Sequence, residues 1–382
     1  MKKSEKDNVD IRLERLNKIP EPLLVWYDEN RRKLPWREVA TPYRVWVSEI
    51  MLQQTRVEAV KPYFERFMLE LPDIKSLAEC REDRLLKLWE GLGYYNRVRN
   101  LQKAAIEIVE KYDGEMPEEY ENILSLKGIG SYTAGAIASI AFKKPFPAVD
   151  GNVLRVVSRI CMDNSNILDT KVKGKMEEVL LQVIPKDRPG DFNQAMMEIG
   201  ACVCIPNGAP HCEACPLASI CLAHKEGKET EYPIREKKKS RTIEEKTVLV
   251  IRDSERTAIH KRANKGLLAG LYELPNLEGK RTAKEVVEYL AAYGIKTLRI
   301  LPLEEAKHIF THKEWHMIGY MVRVDELELM QRDAQKELDW LYVEPAKIQE
   351  NFPIPSAFGA YTGYVNIKLG NEKFDSLFFD EK

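Results

Sequence analysis

The chain is expected to fold as a mainly helical region followed by an α+β domain. Apolar residues recur three and four apart from near residue 20 to about residue 225, the spacing of amphipathic helices. The stretch HKEGKETEYPIREKKKSRTIEEKT then breaks that pattern with charge and almost no apolar residue, as linkers do. Beyond it come short β-branched and aromatic runs, beginning with TVLVIRD, that read as strands.

Each element has its own signal. TPYRVWVSEIMLQQTRVEAVKPYFERF opens with Thr41 as N-cap and Pro42 at the first helical position. EDRLLKLWEGLGYYNRVRNLQKAAIEIVEKY is helical with an interruption at Gly91 and Gly93. TKVKGKMEEVLLQVIP and DFNQAMMEIGACVC continue in that style. LYELP, MIGYMVRV, LDWLYV and YVNIKL read as strands, and RTAKEVVEYLAAYG as one helix among them. The expected boundaries are a helical domain at 1–228, a charged linker at 229–241 and an α+β domain at 242–382.

Composition excludes several classes. The 382 residues suffice for two or three domains, and 44% hydrophobic with 31% charged content is that of a soluble globular protein. With a net charge of −1, no global basic field announces a nucleic-acid partner, so that case must rest on local features. No apolar run approaches a membrane span. The start, MKKSEKDNVDIRLERL, lacks the apolar core of a signal sequence, and a cytoplasmic location is expected.

Five of the seven cysteines crowd into GACVCIPNGAPHCEACPLASIC. In a reducing compartment such a group reads as metal ligands. Cys204, Cys212, Cys215 and Cys221 give C-x7-C-x2-C-x5-C. A zinc ribbon would show two C-x2-C pairs, so this asymmetric spacing favours a [4Fe–4S] cluster in a module at about 200–222. Cys202 competes for the first ligand position, but Cys204 lies nearer the loop.

Two further features concern chemistry. In LSLKGIGSYTAGAIASIAF, residues 124–142, Gly128 and Gly130 flank Ile129 between two helical segments. This helix-hairpin-helix form lets backbone N–H groups approach a phosphate. In FPAVDGNVLRVV, Asp150 can cap a helix whose Val153, Leu154 and Val157 share a face. Glu49 sits on the 41–67 helix among Val45, Trp46, Val47, Ile50, Met51 and Leu52, and burial there would raise its pKa. An acid and an anion in different environments are what glycosidic cleavage uses.

Hairpin, VDGNV and cysteine group, in that order, resemble the helix-hairpin-helix DNA glycosylase superfamily that carries an iron–sulfur cluster. LPWR (34–37), VSEIMLQQTRV (47–57), GLGYYNRVRNL (91–101) and GSYTAGAI (130–137) resemble the adenine DNA glycosylase (MutY) family within it. Two departures are local. The first cysteine loop is one residue longer than usual, and Lys127 replaces a proline of the hairpin.

The resemblance implies catalytic roles for Glu49 and Asp150, with Asn152 supporting Asp150. At Tyr132 the endonuclease III branch has a Schiff-base lysine; tyrosine cannot supply that amine, so a monofunctional enzyme is implied. Trp36, Arg37, Leu52 and Gln194 resemble the adenine pocket, and Gln54 and Tyr94 resemble residues that wedge into the duplex. The C-terminal domain resembles the MutT-like (Nudix-fold) domain of the family. Its catalytic box is degraded, with Lys284 and Tyr289 at the places of an Arg and a Glu. Phe310, Thr311 and His312 resemble its lesion-reading loop. The implied partner is double-stranded DNA holding an A·8-oxoguanine or A·G mispair, bound by a monomer.

Overall fold

The computed structural model describes residues 12–236, 240–325 and 338–369. Two compact units emerge, and neither is one continuous stretch. The first joins the described residues of Met1–Glu79 to those of Asn100–Lys238. The second joins Cys80–Arg99 to the described residues of Lys239–Lys382.

In chain order the helices are α1 (Pro20–Asn30), α2 (Pro35–Glu38), α3 (Pro42–Leu52), α4 (Val57–Glu70), α5 (Ile74–Glu79) and α6 (Glu82–Leu88). They continue as α7 (Asn96–Lys111), α8 (Tyr120–Ser125), α9 (Ser131–Ile140), α10 (Gly151–Cys161), α11 (Thr170–Val183) and α12 (Pro189–Cys202). Of these twelve, α6 alone lies wholly in the second unit. Thr41 caps α3 by accepting from the Arg44 N–H at 3.3 Å, with Pro42 at the first position. The single helix expected across 41–67 is broken: Gln54 takes a left-handed φ of 59°, ending α3 before α4 begins. Gly91 and Gly93, at φ 101° and 70°, make the break expected between α6 and α7.

The helical core gathers α1, α10, α11 and α12 around Leu23, Tyr27, Val153, Val157, Phe192 and Ile199. Burying those valines fixes α10, and Asp150 stands at its N-terminal end. Chain following Cys221 stays packed further than its charge suggests. Tyr232 is buried, its carbonyl accepting from Arg159 Nε at 3.0 Å and its hydroxyl donating to Asn164 at 2.8 Å. One aromatic ring anchors a stretch that otherwise reads as linker.

The second unit is built on a mixed sheet of β1 (Thr242–Arg252), β2 (Thr257–Lys261), β3 (Tyr272–Glu273), β4 (Asn276–Glu278), β5 (Thr297–Ile309), β6 (Lys313–Val324) and β7 (Trp340–Val343). Its order is β3-β2-β1-β6-β5, with β4 on β1 and β7 on β2. β1 runs parallel to β6 from Thr242↔Lys313 to Arg252↔Arg323. Val248 and Val250 enter one core and Leu249 and Ile251 the other, so the apolar run reflects burial on both faces. Val286 and Leu290 of α13 (Ala283–Ala292) cover one face. Ile348 of α14 (Pro345–Asn351) covers the opposite one.

Two strand expectations need correction. β1 starts five residues before TVLVIRD, because ladder bonds to β6 extend the pairing through Thr242–Lys246. Lys246 is buried over the Trp315 ring at 5.0 Å. YVNIKL is no strand: Gly363–Val365 is a 3₁₀ turn and Asn366 takes a left-handed φ of 58°. Its Val365 and Ile367 are buried as a core plug rather than a ladder. Among the described residues no helix is long and apolar enough to cross a membrane.

Candidate active site

A cavity of about 550 Å³ opens in the helical unit between α3, α9, α10 and α12. Glu49, Asp150, Tyr132 and Asn152 line it, as do Trp36, Arg37, Leu52, Gln54 and Gln194. Nine positions spread over 159 residues of chain (36 to 194) thus meet in one place.

Glu49 projects from α3 and is 5% exposed. Burial pushes its carboxyl up to about 7, and the neighbouring Asp150 pushes the same way. The Tyr132 hydroxyl, which donates to it, and the Arg37 charge pull it back. Tyr132 comes from α9, just after the hairpin, and burial raises its own phenol well above the ordinary value. A phenol held neutral is a donor, not a nucleophile.

Asp150 caps α10. Its Oδ1 accepts from the N–H groups of Asn152 and Val153 at 2.9 and 2.8 Å, and its Oδ2 from Asn152 Nδ2 at 2.8 Å. These bonds favour the anion, yet burial outweighs them and leaves the carboxyl above its ordinary value. Asn152 is itself fixed: Arg155 donates to its Oδ1 at 2.9 Å, and also to the carbonyls of Gly200 (2.7 Å) and Cys204 (2.8 Å). Gly200 permits this approach, for a Cβ there would lie 2.6 Å from the Asn152 Cβ.

Trp36 and Arg37, which resemble residues of an adenine pocket, rest on groups that no sequence motif marks. Trp36 is buried edge-on against Phe64 at 5.4 Å. Arg37 donates to Glu198 at 2.8 Å and to the Arg32 carbonyl at 3.1 Å. Arg32 grips the same carboxylate at 2.6 and 3.1 Å. Glu198 follows Gln194 by four residues, one helical turn; that spacing was the available signal. Lys173 also lines the cavity, but its ammonium is held by Ser131 at 3.1 Å and Glu177 at 3.4 Å.

Other expected residues lie elsewhere. Gly128 and Gly130 form the turn between α8 and α9, exposed on either side of buried Ile129. Gly128 has φ 79°, and a Cβ there would meet the Asn100 side chain at 2.6 Å. Tyr94, Phe310, Thr311 and His312 line a cavity of about 690 Å³ in the second unit. The last three form the turn between β5 and β6. There the hydroxyls of Tyr94 and Thr311 are 3.0 Å apart, and Phe310 meets Trp315 edge-on at 4.9 Å.

Cys204, Cys212, Cys215 and Cys221 line a single pocket at the ends of α10 and α12, which exposed Cys202 does not line. Arg159 Nη1 lies 3.2 Å from the Cys204 sulfur, a cation suited to an anionic thiolate group. His224 and Glu229 stand beside Cys212, with ligand atoms within 4.8 Å of one another. A single ion there would use one of the four cysteines, whereas a four-thiolate cluster uses all, so the donor set fits a [4Fe–4S] group better.

Helices arranged around a hairpin turn, with an acid and a capped carboxylate in one cavity, are the constellation of a base-excision DNA N-glycosylase. Residues 47–182 match the HhH-GPD superfamily base excision DNA repair protein family, and residues 247–362 match the NUDIX domain family. A thermostable thymine-DNA glycosylase structure superposes with TM-score 0.50 at 25% identity, covering 58% of this chain and 99% of that one. The adenine DNA glycosylase of Buchnera aphidicola subsp. Acyrthosiphon pisum (strain APS) is 35% identical over 340 residues, 86% of this chain and 96% of that protein. The Homo sapiens adenine DNA glycosylase is 45% identical over 210 residues, 53% of this chain and 38% of that protein. The chain belongs to the adenine DNA glycosylase family of base-excision repair enzymes.

Proposed function

We propose that the protein removes adenine paired with 8-oxoguanine, and less readily with guanine, from double-stranded DNA by hydrolysis without strand cleavage. The pairing of buried Glu49 with capped Asp150 in one cavity carries this reading. The adenine leaves the stack, at an unstacking cost of about a few kcal/mol, and enters beside Trp36, Arg37, Leu52 and Gln194. Glu49 donates its proton to the base (at N7, as the family resemblance implies) while the C1′–N9 bond breaks and its electrons go to the purine. Asp150, oriented by Asn152, faces the positive charge left on the sugar. Water adds to C1′, its proton passes to a carboxylate of the site, and an abasic site remains.

The amines at the site support the hydrolytic outcome: among the described residues lining the cavity the lysine is Lys173. Tyr132 occupies the place of the lyase lysine, and the Lys173 ammonium is bonded to Ser131 and Glu177. Gly128 and Gly130 are suited to a backbone phosphate, and the Phe310–His312 turn to the base opposite. Cys204, Cys212, Cys215 and Cys221 would hold a [4Fe–4S] cluster, whose contribution when bound is to tie residues 204–221 together at the ends of α10 and α12.

A labelled A·8-oxoguanine duplex tests this with and without alkali. Strand breaks seen only after alkali are expected. Direct nicking would assign the chain to the lyases, and intact DNA under both conditions would leave it a binding scaffold.

A further inference from the structure

Glu198 is the most buried charged group near the cavity, at 1% exposure, and the reaction above gives it no part. It is also the most heavily engaged carboxylate there. Arg32 Nε and Nη2 donate at 2.6 and 3.1 Å, the Arg32 N–H at 3.2 Å and Arg37 Nη2 at 2.8 Å. This carboxylate holds two arginines, and both line the cavity that contains Glu49.

Arg37 has two demands on it. It belongs to the adenine pocket, so its guanidinium must be fixed. Its positive charge also acts on Glu49 and favours loss of the proton that Glu49 has to deliver. We propose that Glu198 is a positioning residue for the acid step: it clamps Arg37 to the cavity wall and neutralises its charge there, so that Glu49 remains an acid.

The inference rests on the adenine-excision reading and deepens it. Three elements present groups to Glu49: Tyr132 from α9, Asp150 at the head of α10 and Arg37 from α2. Lys173 of α11 lines the same cavity, bonded to Ser131 and Glu177. Of these, only Arg37 is bonded to Glu198. Removing the Glu198 charge therefore reaches Glu49 through Arg37.

The test is the pH dependence of single-turnover adenine excision by the full chain, with circular dichroism to verify folding. Glu198→Gln should move the alkaline limb down by about one pH unit, so that excision is about tenfold slower at pH 8 but only about twofold slower at pH 6. Glu198→Asp, which keeps the charge, should restore the wild-type limb. In Glu198→Gln/Arg37→Gln, the uncompensated cation is gone and the limb should return upward even though base binding is weakened.

A loss by the same factor at every pH would mean a merely structural role and overturn the proposal, as would a double variant whose limb stays down. Should Glu198→Gln not fold, Arg32→Gln decides. It leaves the whole Glu198 charge facing Arg37 and should move the limb upward, and an unmoved limb would overturn the proposal. Wild-type protein that releases no adenine at any pH would instead refute the functional reading itself.

Discussion

At the level of single residues, burial of Glu49 gives up stability to keep a carboxyl protonated near neutrality, as the proposed acid role requires. The Glu49 carboxyl stands at about 7 against an ordinary 4.5. Below the ordinary value it is protonated in both folded and unfolded chains. As pH rises the unfolded chain releases its proton first, so folding stability falls between about 4.5 and 7 and then levels off. The loss is on the order of 3 kcal/mol. Glu49→Gln should therefore unfold at the same urea concentration as wild type at pH 4 and at a higher one at pH 8. The same variant, and Asp150→Asn, should slow excision by at least about a hundredfold. Equal midpoints at pH 8 would show that Glu49 titrates normally. The sequence made this pair legible, since apolar neighbours surround Glu49 and Asp150 precedes a periodic helix. The one-turn spacing from Gln194 puts Glu198 on the cavity side of its helix, but its ion pairs were not legible, because its partner Arg32 lies 166 residues away and no local pattern marks a long-range ion pair.

Among the elements, helix starts were readable and breaks and strand ends were less so. Thr41 and Asp150 announce their helices through side-chain capping, which is a local interaction. The left-handed turn at Gln54 has no glycine to betray it, and β5 mixes charged and apolar residues because it is an edge strand with an exposed face. In the cysteine module the spacing left Cys202 and Cys204 as rivals. Cys204 shares the pocket with the other three thiols. Cys204→Ser should accordingly lower bound iron in purified protein more than Cys202→Ser, and the reverse order would move the first ligand to Cys202. In the second unit, Lys87, just inside the end of α6, is buried with Glu90. It also donates to the carbonyls of Ile348 and Phe352, while Glu90 accepts from the Ile354 N–H at 2.9 Å. Lys87→Met would break this buried ion pair, a change worth about 3–5 kcal/mol. Glu90→Gln keeps an acceptor for Ile354 and should cost less. Denaturant midpoints that rank them the other way would mean the pair is not the fastening it looks to be.

Across the whole molecule, the two units do not follow the chain's linear order, and that limits what any sequence boundary can express. Residues 80–99 precede most of the helical unit yet pack with residues beyond 240, a partnership no composition change announces. Tyr94 belongs to that segment. It takes a left-handed φ of 49°, its ring faces the Arg97 guanidinium at 5.5 Å, and its hydroxyl meets Thr311. Arg97 is in turn held by the carbonyls of Leu92 and Gly93 and lies over Trp89 at 5.4 Å. The wedge-like tyrosine and the turn expected to read the opposite base are thus parts of one body. Deleting residues 242–382 would take the Thr311 hydroxyl from Tyr94 and expose the Lys87–Glu90 pair as well, so a large loss of lesion preference from that deletion would not identify the reading residue. Thr311→Ala in the full chain isolates it. Losing one hydrogen bond is worth about 0.5–1.5 kcal/mol. The ratio of excision rates for A·8-oxoguanine over A·G should therefore fall about two- to tenfold, with chemistry at an engaged adenine largely kept. Tyr94→Phe removes the partner hydroxyl and should narrow the ratio less, because Thr311 retains its own donor for the lesion. A ratio unchanged in Thr311→Ala would take lesion reading away from this turn.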